Sequence, residues 1–356
     1  TYAPCDEYDS TTPDTAVRQA RKLIEQDGVD IIIGPLSGSE GIAMRDYAKT
    51  IPEKTIINGI SGALETTWVD PAPNFFRFNL DGAQWGAGLG TYVVEEKGWE
   101  RVATVAADYS FGYTNFLGFA VDFCRAGGEI VERFWVPLGS SDFGGVIASL
   151  PDDVDAIYLG VGGTDAINFL NQYNQAGAET NLIGGTIMAD QTVLTSRGRA
   201  KQALIGTPTS GPLASDDPSE AWQSYVTAYQ DAFPEGERFP SPSLFGVGYY
   251  TATIAALQAI NEVGGDLSDG QAALHAALSS LPLDTPLGTV QLNENRQASG
   301  SVFITEVEED GEGGLRNAFR ARVDNVNQTL GMSVEDFKAM GLPSRDNPDC
   351  AALADG

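Results

Sequence analysis

Two hydrophobic rhythms alternate along the first two hundred residues. Ala16, Val17, Ala20, Leu23 and Ile24 recur at helical spacing behind Thr12, a capping residue followed by Pro13. Gly28 ends that helix. The apolar run Asp30-Ile31-Ile32-Ile33-Gly34 then predicts a strand buried on both faces. A helix near Glu40–Thr50 and a strand over Thr55–Asn58 repeat the unit. After Asn79 a second series begins. It has a helix over Ala83–Lys97, a strand over Arg101–Ala106, a helix over Tyr113–Arg125 closed by Gly127-Gly128, and a strand over Glu129–Val136. A strand over Asp155–Gly160 and a helix over Thr164–Gln175 follow, then short strands over Asn181–Gly185 and Ala203–Thr207. This βαβα order predicts parallel sheets with helices on both faces.

The rhythm changes after Thr207. Pro208–Pro218, rich in Pro, Ser, Gly and Asp, has the composition of a linker. Helices are predicted over Glu220–Phe233, Ser243–Val263 and Gln271–Leu281, and strands over Gly288–Leu292 and Ser301–Glu308. A short helix over Val334–Met340 carries Ser333 and Asp336 as a capping pair. With 356 residues the chain is too long for one ordinary core, and two similar α/β series suggest two similar lobes.

Charge narrows the partners. Twenty-one Lys and Arg against 49 Asp and Glu leave a net charge of −28, a surface that repels nucleic acid and anionic membranes and suits salty surroundings. No apolar run is long enough to span a bilayer, and no signal peptide is seen, because Thr1 opens into polar sequence. Cys5, Cys124 and Cys350 show no CxxC spacing. Cys124 falls on the apolar face of a predicted helix and is expected to be buried and inert. Cys5 and Cys350 lie in loop-like ends. A disulfide between them in an oxidising compartment and two free thiols are both open.

Catalytic chemistry finds little purchase. The one histidine, His275, lies in a helical stretch without a nucleophile motif, and fits a helix-surface role. Histidine-based metal sites are excluded by the same count. Gly160-Val161-Gly162-Gly163-Thr164-Asp165 follows a strand and opens a helix, but Asp165 replaces the last glycine of a dinucleotide fingerprint. Those glycines either admit a ligand to the backbone or make a tight turn. Gly34-Pro35-Leu36-Ser37-Gly38-Ser39 joins a strand to a helix. Its serines and amides either face an anion or cap the helix. In open α/β sheets ligands lie beyond the carboxyl ends of strands, which points to Ser37–Ser39, Asn58–Gly62, Ala107–Phe111, Val161–Thr164 and Thr186–Asp190.

These residues resemble the periplasmic branched-chain amino acid (Leu/Ile/Val) binding proteins, the type I fold of ABC transporter substrate-binding proteins. The resemblance rests on Ala20–Ile24, Asp27–Val29, Ile33–Ser37, Asn74–Arg77, Asp108–Gly112, Asp142-Phe143 and Ala176-Gly177. It implies an α/β fold of two Rossmann-like lobes joined by a three-crossing hinge near Asn79, Thr207–Gly211 and Gly300–Val302. Lobe 1 would be 1–79 with 211–300, and lobe 2 would be 80–210 with 301–356. The family opens with a strand and helix ahead of the segment matching Tyr2–Asp9, so these are expected to be absent from the sequence. The implied protein is a monomeric periplasmic solute-binding subunit, not an enzyme and without a cofactor. It would close on a small carboxylate-bearing ligand by hinge motion and be recognised by ABC permease subunits.

The carboxylate would be held by Ser37, Gly38 and Ser39 and by Ile60, Ser61 and Gly62. Aromatic walls would come from Tyr109 or Phe111 and from Phe245, with Gly162, Gly163 and Thr164 facing them. The family's ammonium-binding glutamate is replaced by Thr186. Either Asp190 or Asp108 then takes the ammonium, or the ligand has none. The glycines at 162 and 163 would leave room for a bulkier acid. A ligand-sensing domain of a receptor and a doubly wound enzyme are the competing expectations.

Overall fold

Ile31–Ile33, Thr55–Ile57 and Phe75–Phe76 form a parallel three-stranded sheet in a computed structural model that describes residues 12–354. Alternation along these strands divides the core into two layers. Ile32, Ile56 and Phe75 pack under the helices Pro13–Glu25 and Gly38–Ala48, with Ala16, Ala20, Met44, Tyr47 and Ala48. Ile57, Phe76 and Phe78 turn the other way onto the helices Leu244–Glu262 and Ser268–Ser280, through Ala252, Ala255, Ala259, Leu274 and Leu278. This unit comprises the chain up to Asp81 and Phe245–Gly300.

The second unit, Gly82–Leu244 with the chain from Ser301 on, contains most of the longer sheet. Its strands lie in the order Glu129–Val136, Arg101–Ala107, Ala156–Gly160, Asn181–Gly184 and Pro208–Gly211, all parallel. Ala298–Glu309 then adds antiparallel to Pro208–Gly211 and pairs with Leu315–Val326. Val105, Ile157, Leu159, Phe143, Phe169 and Leu194 are fully or almost fully buried in its core.

Glycines bring two layers of this unit unusually close. A methyl at Gly86 would lie 2.7 Å from the Phe119 nitrogen. One at Gly90 would overlap the Phe123 nitrogen, and one at Gly118 would overlap the Ala83 carbonyl oxygen. The helices Gly82–Gly86 and Leu89–Glu95 therefore meet the helix Ser110–Arg125 backbone to backbone.

Four expectations change. The single helix Ala83–Lys97 is two, separated at Gly88, whose φ of 81° breaks the helix. Ala203–Thr207 is not a strand: the helix Gly198–Leu204 occupies its start. Pro208–Gly211 is a strand rather than linker, with Pro208 at its first position, where proline is tolerated. The strand Leu315–Val326 was not anticipated.

The chain divides after Asp81, Leu244 and Gly300. The first and third points lie near the expected crossings, but the second falls well beyond Thr207–Gly211. Residues 212–244 stay with the second unit because they are tied to it. The Ser215 N–H donates to the Asn317 carbonyl (3.1 Å), and Asp216 accepts from the Phe319 N–H (2.7 Å).

The cysteine expectation is also corrected. Cys350 is bonded to Cys124, with Cα atoms 5.2 Å apart, so Cys124 is buried but not a free thiol. Cys5 lies outside the described residues. The helices Ser110–Arg125 and Cys350–Ala354 bring these sulfurs together.

Candidate functional site

In the first unit the loops after Ile33 and Ile57 are laced together. The Ile60 N–H donates to the Pro35 carbonyl (3.1 Å). Ser37 is buried and caps the helix Gly38–Ala48: its hydroxyl accepts from the Glu40 N–H (3.4 Å), while its own N–H donates to Glu40 Oε2 (2.9 Å). The capping alternative therefore describes its hydroxyl. Ser39 is half-buried on the same first turn. Ser61 is fully buried, in the notch left by Gly41, where a methyl would overlap its hydroxyl. Ile60 and Gly62 are also buried. Ile60 packs on Gly248, and Gly59 on the ring of Tyr249. Phe245 is half-buried, so Tyr249, one helical turn on, is a second aromatic against this loop. Its spacing from Phe245 was the available signal.

Arg77 organises the loop from below. It is fully buried and donates to the carbonyls of Ser61 (3.3 Å) and Ala63 (2.7 Å), to Thr67 Oγ1 (2.6 Å) and to Gln297 Oε1, with Asp81 at 3.4 Å. Burial lowers its pKa to about 10 against the pull of Asp81 and Glu65, so it stays cationic at neutral pH. Asn58 ties Ser61 O (3.0 Å) to Asn79 Oδ1 (2.9 Å). These residues position the 58–62 loop rather than face it.

In the second unit the chain leaves Arg101–Ala107 toward Glu129–Val136 on one side, then returns to Ala156–Gly160 on the other. That reversal is a topological switch point, the place where doubly wound sheets open a crevice. The two loops beyond it are Asp108–Phe111 and Val161–Thr164, each leading into a helix N-terminus. Phe111 is buried edge-on to Trp85 (centroids 5.9 Å), while Tyr109 is half-buried beside it (6.1 Å). Of the two aromatics, Tyr109 is thus the one presented. Thr164 is exposed, and Gly163 takes a φ of 53°.

Gly162 leaves no room for a ligand in its Cβ direction: a methyl there would lie 2.6 Å from Ile187 Cδ1. The expectation that this glycine makes space is corrected, because Ile187 fills that space.

The acidic candidates are held by the protein itself. Asp190 is buried and caps the helix Gln191–Leu194. It accepts from Ser243 Oγ (3.0 Å), the Leu244 N–H (2.9 Å) and the Thr192 N–H (3.5 Å). Burial pushes its carboxyl up despite these donors. Asp108 is taken by Arg345, whose Nε donates at 2.9 Å and whose second nitrogen also bonds it, and by the Tyr113 hydroxyl. The Arg345 guanidinium holds its carboxyl below the usual range. Thr186 is buried in a network of its own: its hydroxyl accepts from Asn115 Nδ2 (3.0 Å) and its N–H donates to Asn115 Oδ1 (3.1 Å). Among the described residues no cluster of three or more His, Cys, Asp or Glu is placed to hold a metal ion, and no helix is long and apolar enough to cross a membrane.

The two α/β units agree in fold with known proteins. The pattern of the periplasmic binding protein family matches residues 2–312. The chain belongs to that family. It is a type I periplasmic binding protein, a binding protein and not an enzyme. A Leu/Ile/Val/Thr-binding protein of Salmonella typhimurium is 26% identical over 309 residues, covering 83% of this chain and 76% of the relative. A solute-binding protein of an ABC transporter from Rhodopseudomonas palustris BisB5, solved with 3,4-dihydroxybenzoic acid, is 28% identical. Its TM-score is 0.80, over 90% of this chain and 86% of that one. An ABC transporter substrate-binding protein from Sphaerobacter thermophilus is 26% identical with a TM-score of 0.80, over 91% and 87%.

Proposed function

We propose that the chain is the extracytoplasmic solute-binding subunit of an ABC uptake transporter, and that its solute is an amine-free carboxylic acid of the benzoate class. One observation carries the choice of solute: the acidic candidates for an ammonium partner are already engaged. Asp190 is surrounded by Ser243, Leu244 and Thr192, Asp108 by Arg345 and Tyr113, and Thr186 occupies the place of the family's glutamate with its hydroxyl on Asn115. An ammonium buried without a counter-charge costs several kcal/mol, whereas a carboxylate is well served by helix N-termini and loop amides. Within the first unit the Ser37–Ser39 and Ile60–Gly62 loops, and separately within the second the Asp108–Phe111 loop and the Gly163–Gln175 helix start, are proposed as surfaces able to supply such contacts. The relative solved with 3,4-dihydroxybenzoic acid supports this choice, while the Salmonella relative favours an amino acid.

Thermal-shift measurements decide between the two. Benzoate and hydroxybenzoates at about a hundred times Kd should stabilise by about 2.7 kcal/mol. Leucine, isoleucine, valine and threonine should leave the melting temperature unchanged. Stabilisation by the amino acids alone would overturn the proposal.

A further inference from the structure

The segment Gly341–Cys350 has no regular structure among its first residues, yet it is held at several points. The carbonyl of Arg345 accepts from Trp135 Nε1 (3.1 Å) and from Arg133 (3.4 Å). Arg133 also donates to the Pro348 carbonyl, and Cys350 is bonded to Cys124. These ties come from the edge strand Glu129–Val136 and from the helix that begins at the Asp108–Phe111 loop. They fix the backbone at residue 345 itself. Its guanidinium lies on Asp108 with two nitrogens, and Tyr113 supplies a third donor.

The Arg345 side chain is 63% exposed, whereas that of Asp108 is 17% exposed. An ion pair with one largely exposed partner adds little to stability, so the disulfide and the backbone ties hold the strap, and the Arg345–Asp108 pair itself needs another account. Its electrostatic effect is local: it cancels a carboxylate on the loop at the switch point, in a chain whose net charge is −28.

Resting on the amine-free reading above, we propose that Arg345 is a specificity-determining residue that acts through Asp108. By neutralising this carboxylate it lets the 108–111 loop receive an anionic solute that would otherwise be repelled. It touches the loop and not the solute, so it is a positioning and charge-setting residue.

Calorimetric titration of the wild type, Arg345→Gln, Arg345→Lys, Asp108→Asn and the double variant Asp108→Asn/Arg345→Gln tests this, using benzoate and its uncharged isostere benzamide. In Arg345→Gln the exposed charge should weaken benzoate about tenfold, the scale of one unscreened charge a few ångströms away, with benzamide changed less than about twofold. Arg345→Lys should keep benzoate affinity, and the double variant should restore it, which also shows that the strap tolerates the substitution.

Equal weakening of both ligands, no weakening, or no rescue in the double variant would each overturn the proposal. If the wild type ignores benzoate and binds an amino acid, the solute assignment itself fails. If the wild type binds benzoate and the variants behave alike, only the role of Arg345 fails.

Discussion

Asp190 allows a sharp test of whether an acidic residue serves the solute or the fold. Replacing it with alanine removes the acceptor for the Ser243 hydroxyl and for the Leu244 N–H, which is buried with its residue. It also removes the cap of the helix Gln191–Leu194. A hydrogen bond to a charged group contributes about 1.5–3 kcal/mol and a helix cap about 1. Release of a desolvated carboxylate offsets part of this, since burial already pushes its pKa up. A net loss of about 2–3 kcal/mol is expected, or roughly 5–10 °C at the 2–4 °C per kcal/mol typical of units this size. Asp190→Asn keeps an acceptor for Leu244 and relieves the buried charge, so it should fall within about 1 kcal/mol of the wild type. Urea and thermal melts of the solute-free protein measure both. Were Asp190 instead an ammonium partner, the alanine variant would melt normally without solute and lose amino-acid binding, and that result would refute the structural role.

Three further outcomes follow from the geometry. Reducing the Cys124–Cys350 bond, or replacing Cys350 with serine, should destabilise the chain by about 2–4 kcal/mol, since it opens a loop of 226 residues; urea melts with and without reductant report it. His275 is half-buried beside Phe76, its Nε2 3.0 Å from Thr55 Oγ1. Burial, helped by Arg296, lowers its pKa below the ordinary 6.5. As pH falls through 6.5 the unfolded chain takes up a proton that the folded chain refuses. Stability should therefore decline as pH falls below 6.5 until the folded ring also titrates, and His275→Gln should flatten that decline in melts. Gly118→Ala forces a methyl into the Ala83 carbonyl oxygen and should destabilise by about 1–3 kcal/mol or more, whereas the same change at exposed Gly246, with open space around it, should not.

The parallel strands were legible because burial on both faces leaves continuous apolar runs, as in Ile31–Ile33 and Ala156–Gly160. The helix Val334–Met340 was legible because Ser333 caps it through the Asp336 N–H. Leu315–Val326 escaped because its half-exposed edge position needs few apolar residues. The alternation from Phe319 to Asp324 was the signal to follow.

His275, expected on a helix surface, is half-buried and bonded to Thr55, from a residue far off in sequence. The site was legible as a set of loops and not as a set of contacts. Asp108 finds its partner 237 positions away in Arg345, and Asp190 finds Ser243 53 positions away. Local pattern carries no trace of such pairings. Ser37 was the reverse case, since its role was local and the capping alternative could be written from Ser37 and Glu40 alone.

The glycine seam along Ser110–Arg125 has a mechanical consequence. Side chains that interlock can slip by changing rotamer, but backbone laid against backbone has nothing to rotate. This helix of 16 residues, about 24 Å long, is thus a rod clamped along its middle by Gly118 and riveted at its foot by Cys124. Its head is the loop that bears Asp108 and Tyr109. A push on that loop has no soft place to dissipate along the rod, and it is delivered to the whole second unit as the displacement of one stiff piece.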